Sequence, residues 1–337
     1  MRPVLVGRAR GQRRAFTCAY RFPLSGVAIA IAAALVALAP GTPARATTTS
    51  LTKAAPVRGN FEGQIAIGGG RKLYLRCKGR GRPAVILESG IHDSSDAWTL
   101  TRTKPPVASS PAVFPGVARF TRVCRYDRPG TVRYTDPPAL TTRSTPVKMP
   151  RSLPELATDL RKLLRRSGIR GPYTLVGHSF GGMIVRHFAQ TYPSKVAGLV
   201  LVDAFGTDIR NLFGQDLWPA YVDLLNHPGT PWDSDPTFET FVVDGAIDAV
   251  LQGRALPRLP LAVMSKTEPF GTAPGVSPVL LSKLEEVWPL VQDELVKLEP
   301  QTPHILATGS DHYVQMQDPD LTIATIRLIV ERVRRGR

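Results

Sequence analysis

One serine in the sequence stands among three glycines between two apolar runs, in the segment TLVGHSFGGMIV (174–185). The pentapeptide GHSFG (177–181) fits the pattern G-x-S-x-G, in which a sharp strand-to-helix turn exposes a nucleophilic serine. The flanking glycines suit this turn because they leave room for a strained backbone. A phosphate-binding loop is excluded, since no Gly-Lys-Ser/Thr follows. The pattern predicts Ser179 as a nucleophile, and a glycine-rich turn with a capping serine is the structural alternative.

Such a serine needs a strand before it and a helix after it, and the hydrophobic pattern predicts both. Tyr173–Gly177 is predicted as a strand and Gly181–Tyr192 as a helix. The segment 128–150 is predicted to be an irregular loop. Further strands are predicted at 61–67, 71–77, 83–87, 122–126, 196–202, 259–264 and 304–308, and further helices at 152–168 and 321–333. This alternation predicts an α/β fold with a mostly parallel sheet and helices on both faces.

Four segments together carry a resemblance to a known family. They are VGHSFGGMIVRHFAQTYPSKVAGLVLVDA (176–204), CRYDRPG (124–130), ESGIHDSSDAW (88–98) and GSDHYVQMQDP (309–319). In this order they resemble segments of the α/β-hydrolase superfamily, most closely its secreted bacterial serine esterase-like members. The similarity runs from about residue 61 to the C-terminus. It implies the α/β-hydrolase fold, with a mostly parallel eight-stranded sheet and a small helical lid insertion.

The resemblance also implies a catalytic triad, because in this fold the residues follow the chain order Ser, Asp or Glu, His. His312 lies in a late loop after the last predicted strand and is the predicted base. Asp203 ends the strand 196–202 and is the predicted acid. The acid more commonly follows the next strand, where the chain has Glu268, so Glu268 is the alternative.

The oxyanion hole is expected to combine two main-chain N–H groups, one following the nucleophile and one from the loop after strand three. These donors are predicted to be Phe180 and, by the resemblance, Ile91. The family more often has His-Gly before the second donor, where this chain has Ser89-Gly90. For Asp127 and Arg128 a fixed turn at the sheet edge is predicted rather than catalysis.

Residues 205–258 form an insertion between two predicted strands and are expected to be a lid. Helices are predicted there at 208–226 and 236–252. The aromatic content favours an apolar acyl or alcohol group, although aromatics at helical spacing are also typical of a core. The predicted substrate contacts are Trp98, His178, Phe205, Trp218 and Phe241.

The cysteines and the N-terminus both indicate export. Residues 1–46 are predicted to be a removed signal peptide, with a membrane anchor as the alternative, and 47–60 a linker to a domain at 61–337. Arg13-Arg14 resembles a twin-arginine signal, but the Sec route is favoured. The protein is therefore expected to be secreted or in the cell envelope. An oxidising compartment of this kind allows cysteines to pair. The family's strand order implies a disulfide between Cys77 and Cys124, with two buried thiols as the alternative.

Charge and motifs restrict the partners. Seven of the 43 Lys and Arg and none of the 27 acids lie in 1–46, so the remainder has 36 bases and a net charge of +9. No dense basic run with aromatics indicates a nucleic-acid partner. No cofactor, metal or specific protein partner is predicted.

Together the residues and the resemblance predict a secreted serine hydrolase that cleaves a carboxylic ester through an acyl-enzyme. An aminopeptidase or a lactone, amide or thioester hydrolase on the same fold is the first alternative. A non-catalytic exported binding protein is the second, because a fold alone does not define a function.

Overall fold

The computed structural model describes residues 57, 59–101, 111–271 and 275–336. The predicted signal peptide 1–46 and most of the predicted linker 47–60 lie outside the described residues. Among the described residues, no helix combines the length and the apolar character that crossing a bilayer requires.

Eight strands form one sheet in the order β1-β2-β4-β3-β7-β8-β9-β10. β2 pairs antiparallel with both β1 and β4, and every other pair is parallel, as predicted. The strands are β1 (Phe61–Gly68), β2 (Arg71–Lys78), β3 (Ala84–Glu88), β4 (Val123–Tyr126), β7 (Tyr173–His178), β8 (Val196–Val202), β9 (Leu261–Lys266) and β10 (His304–Ala307). The loop 128–150 is less irregular than predicted, because β5 (Val132–Arg133) pairs with β6 (Ala139–Leu140).

Helices cover both faces of the sheet, and each face has its own apolar core. Apolar side chains of α2 and α3 pack on one face, and those of α1 and α9 pack on the other. The helices are α1 (Val113–Val117), α2 (Leu153–Arg166), α3 (Phe180–Thr191), α4 (Ile209–Phe213), α5 (Trp218–Asn226), α6 (Val243–Leu251), α7 (Pro278–Val296), α8 (Val314–Gln317) and α9 (Pro319–Arg334). The fold is therefore the predicted three-layer α/β arrangement.

The start of α2 illustrates how local sequence sets an element. The Ser152 main-chain N–H donates to Glu155 Oε2 at 2.8 Å, which completes a capping box. Leu156, Leu160 and Leu163 then repeat at helical spacing and are all buried. The cap and the apolar stripe agree, so α2 begins where the sequence predicts.

The insertion between β8 and β9 is helical, but its helices are shorter than predicted. The predicted helix 208–226 is divided into α4 and α5 by Gly214, whose φ of 80° ends α4. The predicted helix 236–252 begins only at Val243. Sequence reasoning also misses α7, a helix of 19 residues with Pro289 in its interior.

The disulfide between Cys77 and Cys124 is present. The two residues are direct register partners on β2 and β4, with their Cα atoms 4.1 Å apart. The bridge therefore joins neighbouring antiparallel strands of the sheet, as the resemblance implied.

Candidate active site

Ser179 occupies the sharp turn between β7 and α3. Its φ of 53° and ψ of −128° are unfavourable for a residue with a side chain. The turn is held because the Ser179 N–H donates to the Val202 carbonyl at 3.1 Å. A Cβ on Gly177 would lie 2.5 Å from the Gly181 carbonyl oxygen, and one on Gly181 would lie 2.4 Å from that of Ser89. Both glycines are therefore required by close backbone contacts around the serine.

His312 and Asp203 meet at the same edge of the sheet. His312 Nδ1 lies 2.6 Å from Asp203 Oδ2, and the Asp203 side chain is fully buried. A carboxylate can only accept, so Nδ1 carries a proton, and in a neutral ring the other nitrogen, Nε2, then has a free lone pair. The main-chain N–H of Lys266 donates to Asp203 Oδ1 at 3.1 Å and fixes the carboxylate. This is the arrangement of an oriented imidazole base.

Glu268, the alternative acid, is not brought to His312. Its side chain is exposed, and its main-chain N–H donates to the Ser310 carbonyl at 3.0 Å. No hydrogen bond or ion pair joins Glu268 to His312 in the described chain. The geometry therefore favours Asp203 as the orienting acid.

The two predicted oxyanion donors follow strands β7 and β3, next to the nucleophile. Phe180 is the first residue of α3, and Ile91 follows β3 in the loop that passes the elbow, the sharp turn of residues 177–181 around Ser179. Neither main-chain N–H has an acceptor within the described residues. Two free donors beside a candidate nucleophile are what an oxyanion hole needs.

Gly90 brings that loop unusually close to the elbow. A Cβ on Gly90 would lie 2.9 Å from His178 Nδ1 and 3.2 Å from the Ser179 Cβ. His178 is itself buried, and its Nε2 donates to the His312 carbonyl at 2.8 Å. Burial, together with His312, lowers the pKa of His178 well below its ordinary value, so this ring is neutral. His178 therefore supports the His312 loop rather than lining an open pocket.

A buried polar cluster beside the elbow was not predicted. Asp93 accepts a hydrogen bond from the Tyr134 hydroxyl, and its Oδ2 lies 3.9 Å from His178 Nδ1. Burial raises the pKa of Asp93 to about 6, although the Tyr134 hydroxyl opposes the shift. The Asp93 charge and burial raise the pKa of Tyr313, the neighbour of His312. Asp93 is two residues from Ile91, which places a titrating group beside the proposed oxyanion loop.

Arg128 is predicted only to lie in a fixed turn, but in the structure its guanidinium clamps two loops together. It is buried between Glu88 and Glu239, with its Nη1 2.6 Å from Glu88 Oε1 and its Nε 2.7 Å from Glu239 Oε1. It also donates to the carbonyls of Ser89 at 2.9 Å and Gly90 at 2.6 Å. Burial disfavours its charge, but Glu239 and Glu88 hold the pKa of Arg128 above its ordinary value. The clamp fixes the loop of Ile91 and links it to the insertion.

The predicted aromatic substrate contacts are buried in apolar cores. Phe180 stacks on Phe241 at 4.4 Å between ring centroids and lies 5.6 Å from Phe205, so both back the elbow. Trp218 packs within the insertion against Phe213 and Tyr221. Phe205, Trp218 and Phe241 therefore belong to the apolar core between the elbow and the insertion.

Trp98 is a correction to the predicted contacts. It is completely buried in the core beneath α1 and α9, and its Nε1 donates to Ser89 Oγ at 3.1 Å. Trp98 therefore supports the loop of Ile91 from the core side, through Ser89. The rings next to His312 are His178, at 4.7 Å between centroids, and then Phe270, Trp288 and Tyr313, at 4.8, 5.4 and 5.8 Å.

Comparison with known proteins agrees with this architecture. The family model described as alpha/beta hydrolase fold matches residues 83–248. A hydrolase from Pseudomonas aeruginosa has a TM-score of 0.51 at 17% identity, covering 80% of this chain and 97% of that one. A thermophilic esterase from Thermogutta terrifontis has a TM-score of 0.50 at 18% identity, covering 81% and 98%. The chain is thus a protein of the α/β-hydrolase fold.

Curated relatives match only in part. The lipase LipV of Mycobacterium tuberculosis is 39% identical over 130 residues, which are 36% of this chain and 49% of that protein. A probable transporter of Hormonema carpetanum is 24% identical over 78% of this chain, but the match covers 42% of its own length. The chain thus spans less than half the length of the first curated relatives that it matches.

Proposed function

We propose that the protein is an exported serine hydrolase that cleaves carboxylic esters through Ser179, His312 and Asp203. The observation that carries the proposal is the 2.6 Å contact between His312 Nδ1 and the buried Asp203 carboxylate, at the edge where the strained elbow holds Ser179. A neutral imidazole oriented in this way leaves Nε2 free to take a proton. The disulfide of β2 and β4 supports export, because such bridges persist in oxidising compartments.

The reaction has two halves. In the first, His312 Nε2 takes the Ser179 proton as the serine oxygen attacks the ester carbonyl, and the N–H groups of Phe180 and Ile91 stabilise the oxyanion. The protonated His312 then gives its proton to the leaving alcohol, which forms the acyl-enzyme. In the second half His312 activates a water, which releases the acid and restores Ser179.

The surroundings support an apolar acyl or alcohol group. The rings of Phe270 and Trp288 stand beside His312, with centroids 4.8 and 5.4 Å from its ring. Lactones, amides and thioesters share the same tetrahedral chemistry and belong in the substrate panel. One structural neighbour is described as an N-acyl homoserine lactone degrading enzyme, which adds that lactone class to the panel.

A fluorophosphonate probe tests the mechanism. We expect a single covalent adduct on Ser179 by peptide mass mapping, and no adduct in Ser179→Ala. The matched control is Ser194→Ala, which removes the hydroxyl of an exposed serine and is expected to leave labelling unchanged. An adduct on another residue, or no adduct in a protein with a cooperative urea transition, contradicts the proposal and favours a binding role.

A further inference from the structure

A basic cavity lies at the edge of the sheet opposite the elbow. Its volume is about 860 Å³, and 11 residues line it. Six of them are cations and none is acidic: Arg82, Arg161, Arg165, Arg166, Arg170 and Lys195. The cavity thus concentrates positive charge away from the candidate active site.

The topology of the sheet brings these cations together. Arg82, Arg170 and Lys195 come shortly before β3, β7 and β8, which are adjacent parallel strands. The amino ends of parallel strands share one edge, and Ser179 follows the carboxyl end of β7 at the other. The last two turns of α2 contribute the remaining three arginines. The cluster is therefore built by the fold and does not rest on one flexible segment.

None of the six cations forms an ion pair with a carboxylate in the described part of the chain. Arg82 Nη2 donates to the Gly171 carbonyl at 2.8 Å, and Arg161 lies over the Tyr192 ring at 5.6 Å. The Nε of Arg166 is buried and has no hydrogen-bond partner. Six like charges around one cavity repel each other, so an anion bound there would reduce this electrostatic repulsion.

A second cavity at the same end of the molecule is a useful contrast. Its volume is about 690 Å³, and its lining includes Glu299 and Glu331 beside three arginines. The charges of that cavity are mixed, whereas those of the basic cavity are of one sign. The excess of positive charge is thus a property of the basic cavity in particular.

We propose that the basic cavity binds a phosphate-bearing anion. Guanidinium groups match phosphate oxygens with paired, charge-assisted hydrogen bonds, and five of the six cations are arginines. The phosphate can belong to a free anion or to the headgroup of an anionic lipid. In the second case the amino ends of the strands would face the membrane surface. Ser179, at the opposite edge of the sheet, would stay open to substrate.

Binding measurements on the purified full chain test this inference. One arm measures pyrophosphate by calorimetry, and the other measures phosphatidylglycerol vesicles, against phosphatidylcholine vesicles, by co-sedimentation. The cavity variant is Arg165→Gln, Arg170→Gln and Lys195→Gln. The control variant, Lys72→Gln, Lys148→Gln and Arg254→Gln, removes the same charge from exposed cations that line neither cavity.

We expect the cavity variant to bind the phosphate-bearing probe about 100-fold more weakly. Each cation near an anionic surface contributes roughly a fivefold factor to the affinity, and the variant removes three of them. The control variant should stay within a few-fold of the parent protein, and ester turnover should be the same in all three. Loss in both arms identifies a headgroup site, and loss for pyrophosphate alone identifies a free-anion site. Absence of binding to both probes, or equal losses in the two variants, overturns the proposal.

Discussion

Replacing Asp203 by asparagine distinguishes a triad acid from a merely structural carboxylate. The buried Asp203 accepts from His312 Nδ1 at 2.6 Å and from the Lys266 N–H at 3.1 Å. Asparagine has one accepting oxygen, and the Lys266 N–H needs it because that group can only donate. The NH₂ group of the asparagine then faces His312. Since this group also only donates, Nδ1 has to accept and the ring proton moves to Nε2.

A proton on Nε2 removes the lone pair that has to take the Ser179 proton. We therefore expect Asp203→Asn to lower kcat/KM by about 10⁴-fold, which corresponds to a barrier higher by about 5 kcal/mol. Turnover of a p-nitrophenyl ester gives the first readout, and the rate of fluorophosphonate labelling gives the second. Both rates should fall together, because both need an activated serine.

Glu268→Gln is the matched control, since it makes the same change in an exposed carboxylate that does not contact His312. We expect it to stay within about threefold of the parent protein, as is usual for a surface substitution. The urea midpoint of each variant shows whether it is folded. Near-normal turnover in Asp203→Asn, with a loss of orders of magnitude in Glu268→Gln, would refute the assignment.

Three further predictions concern stability and are measured by urea unfolding. Gly181→Ala should lower the free energy of unfolding by about 2–3 kcal/mol through overpacking, because the new Cβ would lie 2.4 Å from a carbonyl oxygen. Gly271→Ala is the control, since a Cβ there meets nothing within 4 Å, and equal effects of the two changes would contradict the close contact. Asp93→Asn should gain about 2 kcal/mol relative to the parent between pH 4 and pH 8, because the raised pKa of about 6 makes the parent lose stability as pH rises from 3.8 through 6; a difference independent of pH would contradict this. Replacing Cys77 and Cys124 by serine should cost about 4 kcal/mol, because the bridge closes a loop with a sequence separation of 47; unchanged stability on reduction would contradict it.

The sequence predicts best where local pattern and tertiary structure agree. The capping box and leucine repeat of α2 mark a helix on their own, and the elbow glycines mark a turn that the backbone contacts then require. Helix α7 shows the limit of this reasoning. Its buried positions Leu280, Leu284, Val287 and Val291 do repeat at helical spacing, but Pro289 interrupts the pattern that would have identified it.

Side-chain direction and distant pairing could not be predicted in the same way. Trp98 lies in a segment that resembles the oxyanion loop, yet its ring points into the core, and only the packing of α1 and α9 decides this. The ion pair of Arg128 with Glu239 joins positions 111 residues apart. Nothing in either local sequence indicates the other, so this contact emerges only from the folded chain.

The Arg128 clamp also limits how the protein can be re-engineered. The insertion between β8 and β9 is a target for exchange, because replacing it would change the surroundings of the site while leaving the sheet intact. Here the insertion supplies Glu239, which is one of the two carboxylates balancing the buried Arg128. A graft without an acid at this position would leave the guanidinium undercompensated next to the loop of Ile91. A transplanted insertion therefore has to bring its own acid or be combined with a change at Arg128.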